Sequence, residues 1–235
     1  HGAPTAITLL IGGAPKLAAF GIMMRLLVEA MGGLAVDWQQ MFIVMAVASL
    51  VVGNVVGIAQ SNLKRMLAYS TIGQMGFVLL AMSAGVINGS TVLAGNAYSS
   101  AMFYVVIYVL TTLGTFGMIM YLAGEGYESE EIADFAGLAS RHPWAAGAMA
   151  VFLFSLAGVP PLVGFYAKLA VLQALIATGH AGYIGLAVIA VLLSLVGAYY
   201  YLRVVKVMYF DAPTTPAPIV RGSGIGALLA LNGAL

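Results

Sequence analysis

The sequence predicts an all-α, polytopic transmembrane helical bundle, and three observations carry that prediction. Hydrophobic residues make up 62% of the 235 and charged residues only 7%, whereas a soluble domain carries about 25% charge. Mean hydropathy is +1.03, and several apolar runs exceed the roughly 18–20 residues needed to cross a bilayer core as helix. These runs are continuously apolar instead of alternating, which argues for helices and against the strands of a membrane barrel. The chain has no cysteine, which excludes disulfides, iron–sulfur ligation and thiolate metal sites. No cofactor or metal site is therefore expected in this chain. Its few charges are scattered and sum to +1, which gives no reason to expect a nucleic-acid partner.

Six spans can be read, at roughly 5–30, 39–60, 64–86, 96–122, 145–178 and 183–210, with a truncated seventh from about 223. The chain opens on His1 with no signal-peptide pattern before it, and its last residues, Ala227 to Leu235, stop partway into an apolar run. It is expected to be a fragment of a longer protein, with 1–235 forming a single membrane domain. In the first span Arg25 and Glu29 stand four apart and are expected to pair. Ser61 or Asn62 precedes the third span and can cap it. The connection at 123–143 holds Glu125, Glu128, Glu130, Glu131 and Asp134, and its Ile132, Phe135 and Leu138 recur every three residues. That spacing predicts a short interfacial helix. A solvated acidic loop and a docking surface for a partner both remain open for the connection.

Antiparallel alternation of the spans collects Lys64, Arg65, Arg141, Lys206 and Arg221 on the face that holds the N-terminus. The positive-inside rule then puts His1 and the acidic connection in the cytoplasm.

Two lysines fall within spans. Lys16 lies near the middle of the first, in Gly12-Gly13-Ala14-Pro15-Lys16-Leu17, and Lys168 lies in the fifth. A lysine near the centre of a membrane helix costs roughly 2.5–3.5 kcal/mol on insertion scales, and packing alone would be better served by leucine. Snorkelling to the interface is out of character for Lys16, which is about as far from both ends as a residue can be. It is easier for Lys168, displaced from the middle of its span by about 9 Å at the helical rise.

Of the eight prolines, the three inside spans are Pro15, Pro160 and Pro161, and they are the candidate helix breaks. Each removes a backbone donor and frees the carbonyl four residues back, which belongs to Ile11, Leu156 or Ala157. Freed polar backbone is tolerated at membrane depth only where protein or a water-filled cavity satisfies it. The run Gly158-Val159-Pro160-Pro161 is the pattern of a discontinuous helix, a recurrent element of transporter ion sites. Pro161 and Lys168 are seven apart and share a helical face.

An ammonium group deprived of water depends on its neighbours to keep its proton, so buried lysines joined by hydroxyls and water can pass protons along. Lys16 and Lys168 are the expected proton carriers. Further candidates along such a path are Tyr104, Tyr108, Thr111 and Thr112 in the fourth span and Tyr199, Tyr200 and Tyr201 in the sixth, although each also suits packing or interface anchoring. Lys64 is read either as a positive-inside anchor or as a proton contact at the cytoplasmic side. Gln74 is placed to hydrogen-bond water in the path, without carrying charge itself.

Several motifs together resemble the antiporter-like subunits of respiratory complex I. They are Gly2-Ala3-Pro4 with Pro15-Lys16-Leu17-Ala18-Ala19-Phe20-Gly21 and Met24-Arg25-Leu26, then Gln60-Ser61-Asn62-Leu63-Lys64-Arg65-Met66-Leu67-Ala68-Tyr69-Ser70-Thr71-Ile72, then Ser155-Leu156-Ala157-Gly158-Val159-Pro160 with Gly164-Phe165 and Lys168. Tyr199-Tyr200-Tyr201-Leu202-Arg203-Val204 favours the N-type branch over the L- and M-types. The resemblance implies an inverted-repeat fold with discontinuous helices, in which this chain runs from the eighth helix into the fourteenth. It makes Lys16 the counterpart of the central lysine of the eighth helix and Lys168 that of the broken twelfth, with the family's two other key charges upstream. The chain departs from relatives at Gln74, where some have histidine, and in having no histidine in its fourth span.

The function so implied is proton translocation within an NADH:quinone oxidoreductase, with no redox chemistry in this chain. FMN, iron–sulfur clusters and quinone would sit elsewhere in the complex, and the partners would be other membrane-arm subunits and the lipid of a bacterial inner membrane. A multisubunit cation/proton antiporter or a membrane-bound hydrogenase built on the same module is the alternative, and a purely structural membrane anchor is a third.

Overall fold

The computed structural model of the chain describes residues 4–123, 130–213 and 232. Gly2, Ala3, Glu125, Glu128, Arg221 and the span anticipated from about 223 lie outside them. The described residues form helices and no strand. In order these are α1 (Thr5–Met23), α2 (Ala35–Ile58), α3 (Leu63–Ser83), α4 (Ala94–Leu122), the short α5 (Leu138–Arg141), α6 (Pro143–Ala157), α7 (Val163–Ala177) and α8 (Ala181–Phe210). Four match the predicted spans directly. The predicted first span is α1 continued by a wider π-helical stretch, Met24–Ala30, and the fifth is two 15-residue helices, α6 and α7. Among the described residues, five segments are long and apolar enough to cross a membrane on their own, and the chain is a multi-pass membrane protein.

The apolar faces of α3 and α4 make the interior, with two thirds of each helix's most apolar stretch buried, against 11% for that of α1. Helix α1 packs on α4, α2 on α3 and α8, and α7 on α4, α3 and α8. Any polar side chain meant for the centre must therefore be carried by α3 or α4 or reach toward them.

The acidic connection returns to the bundle instead of floating beside it. Its described part makes a 3₁₀ turn at Ile132–Phe135, followed by α5. Ile132, Phe135 and Leu138 are all buried, as their spacing foretold, but in two short turns in place of one helix. Backbone bonds tie it down, from Leu63 N to the Glu130 carbonyl (2.6 Å), Ile132 N to Ser61 (2.9 Å) and Gly137 N to Val207 (3.2 Å). Asn62 caps α3, its Oδ1 accepting from Arg65 N at 3.0 Å. At the same end Arg203 of α8 donates to the carbonyls of Ile58 (2.9 Å) and Gln60, which close α2.

Two expectations need correction. Helix α1 runs through Pro15 without a break, and the π-helical backbone begins only at Met24, about two and a half turns later. No ion pair joins Arg25 and Glu29 among the described residues. Both side chains are exposed, and an exposed pair gains little from being held together.

Candidate functional site

The fifth span stops at Ala157 because Gly158 takes the left-handed conformation (φ 85°) that ends α6. The chain resumes as helix at Val163. The start of α7 is laid tightly over the end of α6. Gly164 sits against the Ser155 backbone, where a Cβ would fall 1.9 Å from its carbonyl oxygen, and its N–H donates to Ser155 Oγ at 3.2 Å.

The break leaves the carbonyls of Leu156 and Ala157 without helical donors, and two of the anticipated residues supply them. Gln74 of α3 donates to Leu156 O at 3.1 Å. Lys168, on the second turn of α7, folds back and donates through Nζ to Ala157 O at 2.8 Å. Its second partner is Ser194 Oγ of α8, also 2.8 Å away, and the Phe77 ring lies 5.5 Å from the amine, a cation–π distance. The lysine does not run to the helix end. Its amine is held in the gap of its own broken span.

Gln74 has protein partners on every side. Besides Leu156 it donates to the Tyr201 hydroxyl at 3.2 Å and accepts from the hydroxyl of Tyr104. Tyr201 is bonded in turn to Ser70. Expected to hold water, Gln74 instead clamps α3, α4, α6 and α8 around the break, with both amide protons committed to protein.

Lys16 approaches the same region from α1. Its Nζ donates to Tyr108 Oη at 3.4 Å and lies 5.0 Å from that ring's centre. The Tyr108 hydroxyl is 2.5 Å from Thr71 Oγ1, and Thr71 donates to Leu67 O at 3.0 Å. With the threonine proton committed there, the order of donation is Lys16 to Tyr108 to Thr71. A cavity of about 20 Å³, lined by Tyr104, Tyr108, Thr111, Ser155, Gly164 and Lys168 among others, joins the two halves. That is room for about one water, in a space that Tyr108 and Lys168 both line. A second cavity of about 390 Å³ beside the break shares Ile107, Thr111 and Ser155 with it.

The family model for the transmembrane part of NADH:quinone oxidoreductase and Mrp antiporter proteins matches residues 1–197. The chain belongs to this family. This member of the NADH:quinone oxidoreductase/Mrp antiporter family is 61% identical to NADH-quinone oxidoreductase subunit N of Polaromonas naphthalenivorans (strain CJ2) and 59% identical to that of Herminiimonas arsenicoxydans. Each match takes in all of the chain but 47% of the relative, so the chain spans about half the length of the curated relatives it matches. It is similar to a chain of respiratory complex I from Thermus thermophilus, with 28% identity and a TM-score of 0.70, covering 83% of this chain and 42% of that one. A chain of the Mrp complex from Dietzia sp. DQ12-45-1b shares the fold, with 22% identity and a TM-score of 0.78 over 92% of this chain and 38% of that one.

Not every candidate in this family member gathers at the break. Lys64 pairs with Glu130 and donates to Thr5 Oγ1 at 3.2 Å. Thr5 is eleven residues before Lys16, about 16 Å along the helix, so Lys64 stands at the end of the bundle. Thr111 bonds its own helix, to Ile107 O at 2.8 Å. The tyrosine triplet divides, with Tyr199 exposed, Tyr200 donating to Asn54 at 3.3 Å and only Tyr201 reaching Gln74. Ser70, Thr71 and Ser194 went unmarked. The available signal was spacing, because Ser70 and Thr71 lie four and three residues before Gln74, and Ser194 lies seven before Tyr201.

Proposed function

We propose that the chain is one membrane domain, residues 1–235, of a proton-translocating subunit in the membrane arm of an NADH:quinone oxidoreductase. Protons pass between Lys16 and Lys168 through the Tyr108 hydroxyl and a water in the cavity between them. Quinone reduction elsewhere in the complex supplies the energy, as a change of charge that alters how firmly each amine keeps its proton. An amine deprived of bulk water responds strongly to such a change, because neighbouring groups supply most of what stabilises its charge. The redox groups, FMN, iron–sulfur clusters and quinone, belong to other subunits. Those subunits and the lipid of a bacterial inner membrane are the partners. The end of the bundle that carries Thr5, Lys64 and Glu130 faces the cytoplasm, where Lys64 anchors the helix ends.

The observation that carries this reading is the Lys168 amine, 2.8 Å from a carbonyl exposed by the helix break. An anchor needs neither the break nor the amine.

Lys16→Ala in the complete complex tests the proposal. Inverted membrane vesicles are expected to oxidise NADH while taking up fewer protons for each NADH consumed, because the path loses its entry to Tyr108. Unchanged uptake per NADH in an assembled variant would leave the chain with a structural role only.

A further inference from the structure

Lys168 carries three N–H bonds when charged and two N–H bonds with a lone pair when neutral. Its two protein partners differ in what they can offer these states. The Ala157 carbonyl only accepts. The Ser194 hydroxyl accepts from the ammonium and, by rotating, donates to the lone pair of the free amine. Ser194 stands on α8, half-buried, with the amine 2.8 Å away. No bond back to its own helix takes its proton among the described residues, whereas Thr111 and Ser100 bond the carbonyls of Ile107 and Asn96. The cavity that Lys168 lines also has Gln74 from α3, the titratable phenols of Tyr104 and Tyr108 and the Thr111 hydroxyl from α4, and Ser155 from α6, with Phe77 of α3 beside the amine. Among the described residues the hydrogen-bond partners of the amine are the Ala157 carbonyl and Ser194 Oγ.

We propose that Ser194 is the positioning residue for Lys168, keeping its amine in the helix break whether or not it holds a proton. The inference rests on the proton-relay reading above. The hydroxyl turns as the amine is emptied and refilled, so the lysine need not swing out of the gap between cycles. Position 194 therefore requires a group that both donates and accepts, in a side chain short enough for α8 to pack on α7.

The test uses the complete complex in inverted vesicles and reads protons taken up per NADH across a range of pH. Ser194→Ala removes an acceptor from the ammonium, so the proton is given up at lower pH. The alkaline limb of the pumping profile is expected to move toward acid by about one pH unit, the size of one lost charge-assisted hydrogen bond. Ser194→Thr, which keeps the hydroxyl, is expected to restore the original profile. Ser194→Cys, with side-chain size kept but only weak hydrogen bonding, should follow alanine and serves if the alanine variant fails to assemble. A parental profile in the alanine or cysteine variant overturns the proposal, provided Lys168→Ala lowers the protons taken up per NADH. Normal pumping by Lys168→Ala overturns the relay reading itself.

Discussion

Alanine at position 164 is expected to keep the broken span from closing. The added Cβ would lie 1.9 Å from the carbonyl oxygen of Ser155, 2.7 Å from its carbonyl carbon and 2.9 Å from its Oγ. Two of these atoms are backbone, so no rotamer change relieves the overlap, and the first turn of α7 must lift off the end of α6. Ordinary overpacking costs about 1–3 kcal/mol. A clash with fixed backbone belongs above that range, among the exceptional single-site effects of more than about 4 kcal/mol. The loss also spreads to function, because Lys168 is one turn further on the same helix and would be carried away from Ala157. Gly182→Ala is the control, since a Cβ there meets nothing within 4 Å. The yield and thermal stability of the assembled complex should fall sharply for the first variant and stay unchanged for the second. Equal behaviour of the two would mean that the close crossing of α6 and α7 is not needed.

Lys168→Ala is expected to have a large functional effect with a modest structural one. Its loss strips the Ala157 carbonyl of its donor, and an unsatisfied buried acceptor costs about 1–3 kcal/mol. Against that, a charge no longer has to be kept away from water. The freed space adjoins the water-sized cavity, so a water can take the donor's place. The complex should therefore assemble and oxidise NADH, while the transfer of protons by this subunit stops altogether. Protons taken up per NADH, measured in vesicles of matched complex content, should drop by the share this subunit contributes. A parental ratio would mean that the amine only fills the break.

Much of the architecture was legible because bilayer physics leaves few choices. Continuous apolar runs marked the spans, and Gly158-Val159-Pro160-Pro161 marked the interruption of the fifth. The same reasoning overread Pro15. A proline frees a carbonyl in either helix, but α6 also has Gly158 in the left-handed region to redirect the chain, and no residue of α1 has a positive φ. Proline without such a neighbour stayed inside a helix, as membrane helices tolerate when neighbouring groups compensate.

The lysines stood out because a charge in an apolar span has a cost that packing does not explain. Hydroxyls carry no such mark. Thr71 and Ser194 contact the tyrosine and lysine of the candidate path, while Thr115 bonds its own helix at the Thr111 carbonyl. In sequence these residues look alike. Which of them meets a partner depends on how α1, α3, α4, α7 and α8 pack, which local composition does not encode. Gln74 shows the same limit, since its polarity was plain but its four-helix clamp was not.

The proposed relay puts Lys16 and Lys168 on one path. Proton uptake per NADH in the Lys16→Ala, Lys168→Ala double variant, set beside both single variants in the complete complex, tests it most directly. Two stations in series predict that either single replacement already stops the path, so the double variant has the same reduced ratio as each single one. Losses that add, or a parental ratio in any of the three, would contradict the claim.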